Sequence, residues 1–406
     1  PAQAPKPGDM TLAGRRVVLG VSGGIACYKA CTIARRLTEM GAAVDAVLTR
    51  AAAEFVGPVT FEALTRRPVL TSLWQRDAAL AHVENGQNAD LIILAPATAN
   101  LIARAAQGIA DDLLTALLMA RTAPVLIAPA MNDEMFAHSA TKKNLQTLRD
   151  RGWAVVGPDI GPLAEGASDR PGRMSEPEVI VAEAERMIRG ADGKWRGKQV
   201  TVTAGPTREE MDPVRVITNR SSGRMGFALA EAAYARGADV TLITGPTTLP
   251  KPYGVKTTAV EATTELEEAV GNALPATDVL IMAAAPADFR PTLRAESKLP
   301  RAEGALEIAL EPTADVLQAT RDKRKQGSLS IGFALETSDG VQHAREKLDR
   351  KALDMIVLNM AHEAGAGFEV ETNAVTIVTA SNTTSIPQMS KRDIAERLLD
   401  AVEELF

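Results

Sequence analysis

The sequence predicts an α/β protein made of two doubly wound, Rossmann-like domains. Short apolar runs typical of buried strands alternate with segments of helical periodicity, which is the pattern of parallel sheets covered by helices. The pattern starts again after Gly190–Lys198, a polar segment with repeated glycines that has the composition of a linker. The predicted boundaries are a disordered arm at residues 1–12, a first domain at 13–190 and a second at 191–406.

The first half opens with a predicted strand at Arg16–Gly20, a glycine-rich turn and a helix at Cys27–Met40. Gly41 ends this helix, because glycine readily takes the left-handed conformation found after helix C-termini. The nearly continuous apolar run Ala89–Ala95 predicts a strand buried on both faces. Further strands are predicted at Ala43–Leu48 and Pro124–Ala128, and further helices at Thr60–Thr65, Asp112–Ala120, Ser139–Arg151 and Val179–Arg189.

The second half repeats the alternation and is also predicted to form a parallel, doubly wound sheet. Its strands are predicted at Gln199–Thr203, Ala238–Thr244, Asp278–Ala285, Ser328–Ala334 and Met355–Asn359. Its helices are predicted at Phe227–Arg236, Thr264–Ala273 and Lys391–Glu404, the last of them amphipathic.

The composition is that of an ordinary globular chain, with 46% hydrophobic and 24% charged residues. The net charge of −6 argues against nucleic acid as a partner. Membrane partners are not expected, since no apolar run approaches the roughly 20 residues of a membrane span. Residues 1–10 lack the features of a signal peptide. Cys27 and Cys31, at i and i+4 of one helix, are expected to pack against the sheet, which suits a reducing cytoplasm.

Two loops mark candidate binding sites. Thr203–Gly226 is a polar segment, broken by glycine and proline, that is much longer than a strand-to-helix turn requires. Gly20–Ala26 joins the first strand to the first helix, where glycines and free helix N–H groups suit a phosphate. Its glycine spacing does not match the dinucleotide fingerprint. A glycine-rich turn that binds no ligand is the alternative for this loop.

Pro96–Asn100 and Pro129–Met135 follow two predicted strands at the end of the sheet where ligands bind. They resemble the signature motifs of the flavin-dependent cysteine decarboxylases, which include phosphopantothenoylcysteine decarboxylase and lantibiotic-type enzymes. The resemblance implies a flavodoxin-like domain that binds FMN and oxidises the substrate's Cα–Cβ bond before CO₂ is lost. It also implies which residues surround FMN: Ser22, Gly23, Gly24, Thr49, Thr98 and Asn100.

The same resemblance implies three further roles. His82 corresponds to the active-site histidine, although a lone histidine is more often structural. Asn132 corresponds to the residue that holds the substrate carboxylate, with Met135 beside it at the substrate. In the related decarboxylases, a flap resembling Gly161–Pro177 carries a cysteine that protonates the enethiolate, so that the flavin is reoxidised. Glu165 stands at that position here, and we hypothesise that Glu165, Asp169 or a bound water replaces the cysteine.

The second half resembles phosphopantothenate–cysteine ligase. The resemblance runs through Asp212–Asn219, Ser221–Gly226, Ala283–Phe289 and Lys298 to Lys351. It implies a CTP-dependent ligase, commonly fused behind the decarboxylase in bacterial coenzyme A synthesis, that forms an acyl-cytidylate. It implies a nucleotide site formed by Met282, Ala283, Ala284, Asp288, Lys298, Ala314, Asp315, Val316, Leu317, Phe333, Lys347 and Lys351.

Lys298 corresponds to the catalytic lysine, which would neutralise charge at the α-phosphate. Asp288 corresponds to a nucleotide-binding aspartate expected near Mg²⁺. Asn219 corresponds to the residue that holds the acyl-cytidylate, and Arg215 to the arginine beside it. Two alternatives stay open from the residues alone, because lysines such as Lys347 at i, i+4 usually form a solvated helix face and Asn219 suits a helix cap.

Three overall readings follow. The first is a cytoplasmic bifunctional enzyme that ligates 4′-phosphopantothenate to cysteine and then decarboxylates the product. The resemblance implies a homo-oligomer, a dodecamer built from flavin-domain trimers and ligase-domain dimers. The second is an NAD(P)-dependent oxidoreductase, which the missing dinucleotide fingerprint disfavours. The third is a flavin-storing or scaffold protein whose altered flap has abolished catalysis.

Overall fold

The structure, a computed structural model, describes residues 10–74, 80–299, 307–336, 340–360 and 372–406. The chain divides into two compact units, Pro1–Arg189 and Gly190–Phe406. Residues 1–9 of the predicted arm lie outside the described residues. Leu12, the last residue of that arm, is fully buried and its backbone N–H donates to the Met40 carbonyl at 2.8 Å. The prediction of disorder is therefore wrong at Leu12, because an apolar side chain there packs into the core.

Among the described residues of the first unit, five parallel strands form a sheet in the order β2-β1-β3-β4-β5. This is the flavodoxin-like order, and it confirms the predicted class. The strands of the sheet are β1 (Arg16–Val21), β2 (Ala43–Leu48), β3 (Leu91–Ala97), β4 (Val125–Pro129) and β5 (Ala154–Val155). A small antiparallel hairpin, β6 (Asp159–Ile160) and β7 (Pro171–Arg173), lies outside the predicted strands.

Helices cover both faces of this sheet. Val17 and Leu19 of β1 lie in one core with the helices that begin at Cys27, Pro58 and Pro177, whereas Val18 of the same strand lies in a second core with the helices that begin at Ala99, Leu113 and Ser139. Cys27 is buried and Cys31 packs beside it, which confirms their predicted packing. The helices are α1 (Cys27–Glu39), α2 (Arg50–Ala53), α3 (Pro58–Thr65), α4 (Ala81–Asn88), α5 (Ala99–Gln107), α6 (Leu113–Ala120), α7 (Asp133–Ala137), α8 (Ser139–Asp150) and α9 (Pro177–Arg189).

The second unit holds a mixed sheet, with eight strands among the described residues in the order β12-β11-β8-β13-β16-β17-β18-β19. The first six strands are parallel and follow the Rossmann order. The strands of this unit, which include two separate antiparallel pairs, β9 with β10 and β14 with β15, are β8 (Gln199–Ala204), β9 (Arg208–Glu210), β10 (Val216–Thr218), β11 (Asp239–Thr244), β12 (Lys256–Ala259), β13 (Val279–Met282), β14 (Phe289–Pro291), β15 (Leu310–Pro312), β16 (Leu329–Glu336), β17 (Met355–Met360), β18 (Thr372–Thr379) and β19 (Thr383–Ser390).

The prediction of an entirely parallel second sheet is wrong at one edge. β18 and β19 form an antiparallel hairpin, and β18 pairs antiparallel with β17. The reason lies in the sequence of β18, where buried residues such as Val375 and Ile377 alternate with partly exposed threonines. That alternation is typical of an antiparallel strand with one solvent-exposed face, and not of a strand buried on both faces.

The remaining elements of this unit include helices α10 (Arg224–Ala235), α11 (Thr263–Ala273), α12 (Val316–Ala319), α13 (Gly340–Lys351) and α14 (Lys391–Glu403). Helix α10 begins at Arg224, three residues before the predicted start at Phe227. The long predicted loop before it is also partly ordered, because β9 and β10 pair there as a hairpin. In the described parts of the chain, no helix is long and apolar enough to cross a membrane.

Candidate active sites

The first candidate site lies where β1 and β3 end and the strand order of the first sheet reverses. Ser22 follows β1, and Thr98 follows β3. The Ser22 hydroxyl donates to the Pro96 carbonyl at 2.7 Å and accepts from the backbone N–H of Thr98 at 3.0 Å. These bonds fix the two loops against each other. Open α/β sheets bind their ligands at such reversal points.

A cavity of about 920 Å³ opens at this point, within the size range of small-molecule sites. Every residue predicted to surround FMN lines it, namely Ser22, Gly23, Gly24, Thr49, Thr98 and Asn100. Three other predicted residues of the site line it as well: Asn132, Met135 and Glu165. The structure thus brings together residues from five segments that are distant in sequence, the loops after β1, β2, β3 and β4 and the flap.

The loop after β1 leaves room for a ligand on one side only. A Cβ added at Gly23 would lie 2.5 Å from Cβ of Ala51, so this position is packed against α2. A Cβ added at Gly24 would meet only the Thr98 side chain, at 3.7 Å. Thr49 and Thr98 cap the short helices that begin beside the cavity. Backbone N–H groups at such helix starts suit an anionic ligand.

Asn132 is held in one orientation by the chain itself. Its side-chain oxygen accepts from the backbone N–H of Glu134 at 2.9 Å and of Met135 at 3.4 Å, as the N-cap of α7. Because the oxygen is used in this way, the amide nitrogen is the group left to donate to a ligand. A carboxylate is a natural acceptor for such a donor.

The flap predicted at Gly161–Pro177 is anchored beside the cavity. The Ser168 hydroxyl donates to Asp133 at 2.6 Å, and Arg170 pairs with the same carboxylate at 3.3 Å. The hydrogen bond from Ser168, aided by Arg170, lowers the pKa of Asp133, so the carboxylate is ionised at neutral pH. Of the two flap acids considered from the sequence, Glu165 lines the cavity and Asp169 does not line it.

Lys29 is a cavity-lining residue that the sequence reading missed. Its side chain is buried, and its ammonium group donates to the Met174 carbonyl at 2.9 Å and pairs with Glu176 at 3.1 Å. Lys29 thereby ties α1 to the end of the flap. A lysine on the apolar face of a predicted helix was the available signal, because buried lysines occur almost only with a partner.

His82 is not among the described residues that line the cavity of its own chain. It lies in the first turn of α4, and its Nδ1 is buried without a hydrogen-bond partner within the chain as described. Because this nitrogen is buried and has no partner among the described residues, the structure assigns Nδ1 of His82 no hydrogen-bonding role within its own unit.

In the second unit, predicted residues meet around the end of β13. The Asn219 amide donates to the carbonyls of Ala285 at 3.3 Å and Pro286 at 2.9 Å. Helix α10 has Gly223 as its N-cap residue, so the alternative that Asn219 caps this helix is wrong. The Thr313 hydroxyl donates to Ala287 at 2.6 Å, which brings the start of α12 to the same edge.

The predicted nucleotide residues divide into side chains that can reach a ligand and side chains that cannot. Met282, Val316 and Leu317 are buried in the core, so only their backbone groups are available to a ligand. Ala283, Ala284 and Ala314 likewise offer mainly backbone. Phe333, on β16, is partly buried and packs against the opposite core.

Each of the two lysines of α13 forms an ion pair with an acidic residue, so this helix face is not simply solvated. Lys347 bonds to Glu336 at 2.5 Å, and this bond together with the nearby charge lowers the pKa of Glu336. Lys351 pairs with Asp315 at 2.8 Å, and the Lys351 side chain is 19% exposed. A nucleotide phosphate that bound Lys351 would therefore compete with Asp315.

Lys298 is exposed, and the residue after it is firmly held. The Arg215 guanidinium donates to the Leu299 carbonyl at 3.3 Å. Asp288 is also exposed. Among the described residues, no group of three or more His, Cys, Asp or Glu side chains could hold a metal ion by itself. A magnesium ion at Asp288 would take phosphate oxygens and water as its other ligands, which is its usual arrangement.

Comparison with known proteins follows the same division of the chain. Residues 7–189 match the flavoprotein family, and residues 195–405 match the C-terminal domain of the DNA/pantothenate metabolism flavoproteins. The coenzyme A biosynthesis bifunctional protein CoaBC of Vibrio cholerae is 45% identical, over 97% of this chain and 99% of its own length. The chain belongs to the CoaBC family. It is a bifunctional enzyme of coenzyme A biosynthesis, a decarboxylase joined to a ligase.

Other members of the CoaBC family are similarly close. The Bacillus subtilis protein is 44% identical over 96% of this chain and 97% of its own length, and the Mycobacterium tuberculosis protein is 46% identical over 96% of each. A crystal structure of a CoaBC C-terminal domain is 38% identical, covers 52% of this chain and 96% of its own, and has a TM-score of 0.44. Membership of the CoaBC family contradicts the oxidoreductase and scaffold readings.

Proposed function

We propose that the chain catalyses two consecutive steps. The second unit joins 4′-phosphopantothenate to cysteine with CTP, and the first unit decarboxylates the product to 4′-phosphopantetheine with bound FMN. The observation that supports this most is the cavity at the β1/β3 reversal point. It is lined by every residue expected to surround FMN, and those residues come from three separate loops, after β1, β2 and β3.

The residues present fit a flavin phosphate. Gly24 leaves open space on the side of the cavity that a Cβ would fill, and the capped helix starts at Thr49 and Thr98 supply backbone N–H groups. Ser22 and Asn100 line the same cavity and offer further hydrogen bonds. When bound, FMN would supply the two-electron oxidation that prepares the substrate cysteine for loss of CO₂.

The chain's own residues would bind the substrate and move protons. Asn132 would donate its amide N–H to the substrate carboxylate, since its oxygen is already used within α7. Met135 would pack against the substrate, and the resemblance assigns His82 as the active-site histidine, although it does not line the cavity of its own chain. Glu165 would deliver the proton that the cysteine delivers in related decarboxylases, a role supported by its position at the cavity.

The role of Glu165 has a direct test with a matched control. Glu165→Gln should leave the flavin reduced after one turnover, seen as lasting loss of visible absorbance, because glutamine cannot supply the proton. Asp169→Asn changes the other flap acid, which does not line the cavity, and should turn over normally. Normal turnover of Glu165→Gln would rule out Glu165 as the donor, and bleaching of Asp169→Asn alone would assign the role to Asp169.

In the second unit, the substrate carboxylate would attack the α-phosphate of CTP, giving an acyl-cytidylate and pyrophosphate. The cysteine amine would then attack the acyl carbon and release CMP. Bringing two anions together requires cations, which Lys298, Lys347 and Lys351 would supply, with Asp288 helping to hold Mg²⁺. Arg215 and Asn219 would hold the acyl-cytidylate. The base would lie near Phe333 and the backbone of β13.

The proposal also includes a homo-oligomer, with flavin-domain trimers and ligase-domain dimers forming a dodecamer. It is supported by the resemblance to the two enzyme families. Light scattering after size-exclusion chromatography of the full chain measures the mass directly. A monomeric mass at micromolar concentration would contradict this part of the proposal.

The deciding experiment is a one-pot reaction with 4′-phosphopantothenate, cysteine, Mg²⁺ and CTP. Equal amounts of pyrophosphate and CO₂, with 4′-phosphopantetheine as the product, are expected. An oxidised enethiol product would mean that the ligase works but the flap does not return the electrons. The same mixture with ATP in place of CTP tests the nucleotide, and equal rates would contradict the preference for CTP. Absence of pyrophosphate with either nucleotide would contradict the ligase assignment.

A further inference from the structure

Asp212 is a carboxylate that the proposed chemistry does not use. It follows β9 and stands at the start of the hairpin turn that leads to Arg215. Its side chain is completely buried, with a relative exposure of 0%. Burying an ionised carboxylate is unfavourable unless several hydrogen bonds and a nearby cation compensate for the lost water. Its partners therefore indicate what it stabilises.

The two oxygens of Asp212 serve different parts of the chain. Oδ1 accepts from the backbone N–H groups of Val214 and Arg215, both at 2.8 Å, and so fixes the local turn. Oδ2 accepts from the backbone N–H of Leu299 at 3.1 Å, which is a contact across 87 positions of sequence. Asp212 therefore connects the hairpin turn to the residue that directly follows Lys298.

Two further bonds reach the Leu299 segment from the same hairpin. The Arg215 side chain donates to the Leu299 carbonyl at 3.3 Å and pairs with Asp212 at 3.5 Å. The backbone N–H of Ala295 donates to the Met211 carbonyl at 2.9 Å. The stretch Ala295–Leu299 is thus held at both ends, with exposed Lys298 between the fixed points.

The ionisation state of Asp212 is consistent with its hydrogen bond to Leu299. Burial by itself raises its pKa, but the backbone N–H groups of Val214, Leu299 and Arg215, together with the Arg215 charge, outweigh burial and lower it. Asp212 is therefore ionised at neutral pH. A carboxylate has only acceptor sites, which matches three N–H donors.

We propose that Asp212 is a positioning residue of the ligase, which holds the backbone at Leu299 so that Lys298 stands beside Arg215. Asp212 is buried and touches the reacting groups only through its neighbours, so its effect is on placement. This inference rests on the proposed function for the role of Lys298 in catalysis. The placement itself can be measured without any substrate.

Asp212→Asn is a sharp perturbation, because it keeps the shape of the side chain and replaces one acceptor oxygen with an NH₂ donor. The amide cannot satisfy both the turn and Leu299, so one of the two connections is lost. Asp278→Asn is the matched control. Asp278 likewise accepts a backbone N–H, from Gln199 at 2.8 Å, and its pKa is also lowered, but it stands at the opposite end of β13.

The first readout is trypsin cleavage after Lys298 in the full-length native chain. Asp212→Asn should be cleaved there roughly tenfold faster than the parent chain, the factor that corresponds to ~1.4 kcal/mol. Asp278→Asn should be cleaved at the parent rate. Equal cleavage of Asp212→Asn and the parent would overturn the proposal, and so would equal acceleration in both variants, which would indicate general loosening.

The second readout separates placement from loss of folded enzyme. If Lys298 is placed in only a fraction of molecules, the KM for CTP should rise about tenfold, with kcat at saturating CTP changed by less than about twofold. Loss of folded enzyme would lower kcat and leave KM unchanged, which would contradict the proposal. If the parent chain does not use CTP, the proposed function fails, and the trypsin result still decides the placement.

Should Asp212→Asn fail to fold, the parent protein provides the test. Hydrogen exchange resolved to single amides should show a protected Leu299 N–H and a fast-exchanging Lys298 N–H, because only the former is bound to a buried carboxylate. Rapid exchange at Leu299 in the native chain would overturn the proposal without any substitution.

Discussion

The two adjacent glycines at the flavin cavity allow packing and ligand contact to be separated. At Gly23, a Cβ would lie 2.5 Å from Cβ of Ala51 and 2.7 Å from its carbonyl carbon, so backbone would have to move. Overpacking of this kind costs about 1–3 kcal/mol. For a domain of this size, each kcal/mol lowers the melting temperature by ~2–4 °C, so Gly23→Ala should lower it by ~2–12 °C.

Gly24→Ala should behave in the opposite way. Its Cβ would make one ordinary contact, with Thr98 at 3.7 Å, and the loss of chain entropy in the unfolded state favours alanine by about 0.4–1 kcal/mol. Stability of the flavin-free domain should therefore be unchanged or slightly higher. The added methyl group occupies the side of the loop proposed for the FMN phosphate, so FMN affinity should fall roughly tenfold or more.

Thermal unfolding of the flavin-free protein measures stability. Titration of the same protein with FMN measures affinity, and quenching of the flavin fluorescence reports binding. A Gly24→Ala variant that binds FMN as tightly as the parent would refute the reasoning, because Gly24 would then not face the cofactor. A Gly23→Ala variant with unchanged melting would refute the packing argument at Ala51. Loss of affinity in both variants, with loss of stability in Gly23→Ala alone, is the expected pattern.

Three further predictions concern the flap and the ligase. Asp133→Asn should speed trypsin cleavage of the flap after Arg173, because it removes the charge that holds the flap. In the parent chain the pKa of Asp133 is lowered, so the contact should stay intact above the ordinary range of aspartate and be lost only as pH falls through the lowered value, which hydrogen exchange of the flap amides would follow. Asn219→Ala should lower ligase turnover at least tenfold while leaving decarboxylation of supplied 4′-phosphopantothenoylcysteine unchanged, because the two sites lie in separate units. Lys351→Gln should raise the KM for CTP several-fold, and an unchanged KM would mean that Lys351 serves only its pair with Asp315.

The order of strands and helices could be predicted because each element has its own local pattern. Ala43–Leu48 is a strand with the predicted bounds, and most other predicted elements differ by a few residues. β3 runs two residues further than its apolar run indicated, so Pro96 and Ala97 belong to the strand. The hairpin of β9 and β10 was out of reach, because its strands are only three residues long and Glu209 of β9 is held by Thr263, far along the chain.

The candidate sites divide in the same way. Glycines, threonines and Asn132 could be placed at the flavin cavity, because strand ends and loop composition indicate the binding edge of a sheet. Lys29 and the Asp133 anchor could not, since both depend on where the flap folds back. The ion pairs of Lys347 and Lys351 depend on Glu336 and Asp315, which no spacing rule connects to α13.

The contacts that depend on distant parts of the chain also position the proposed reactive side chains. Lys29, Asp133 and Asp212 each use a charge to hold a segment that carries or borders a proposed reactive side chain, Lys29 and Asp212 through backbone groups and Asp133 through the Ser168 hydroxyl. Removing a charged group that bonds to a buried partner costs more stability than removing a neutral one, because the partner is left without a strong hydrogen bond. Placement of Glu165 and Lys298 therefore depends on residues to which the proposed chemistry gives no role. Substitutions at these charges should impair one activity each and spare the other, which follows from their separate units.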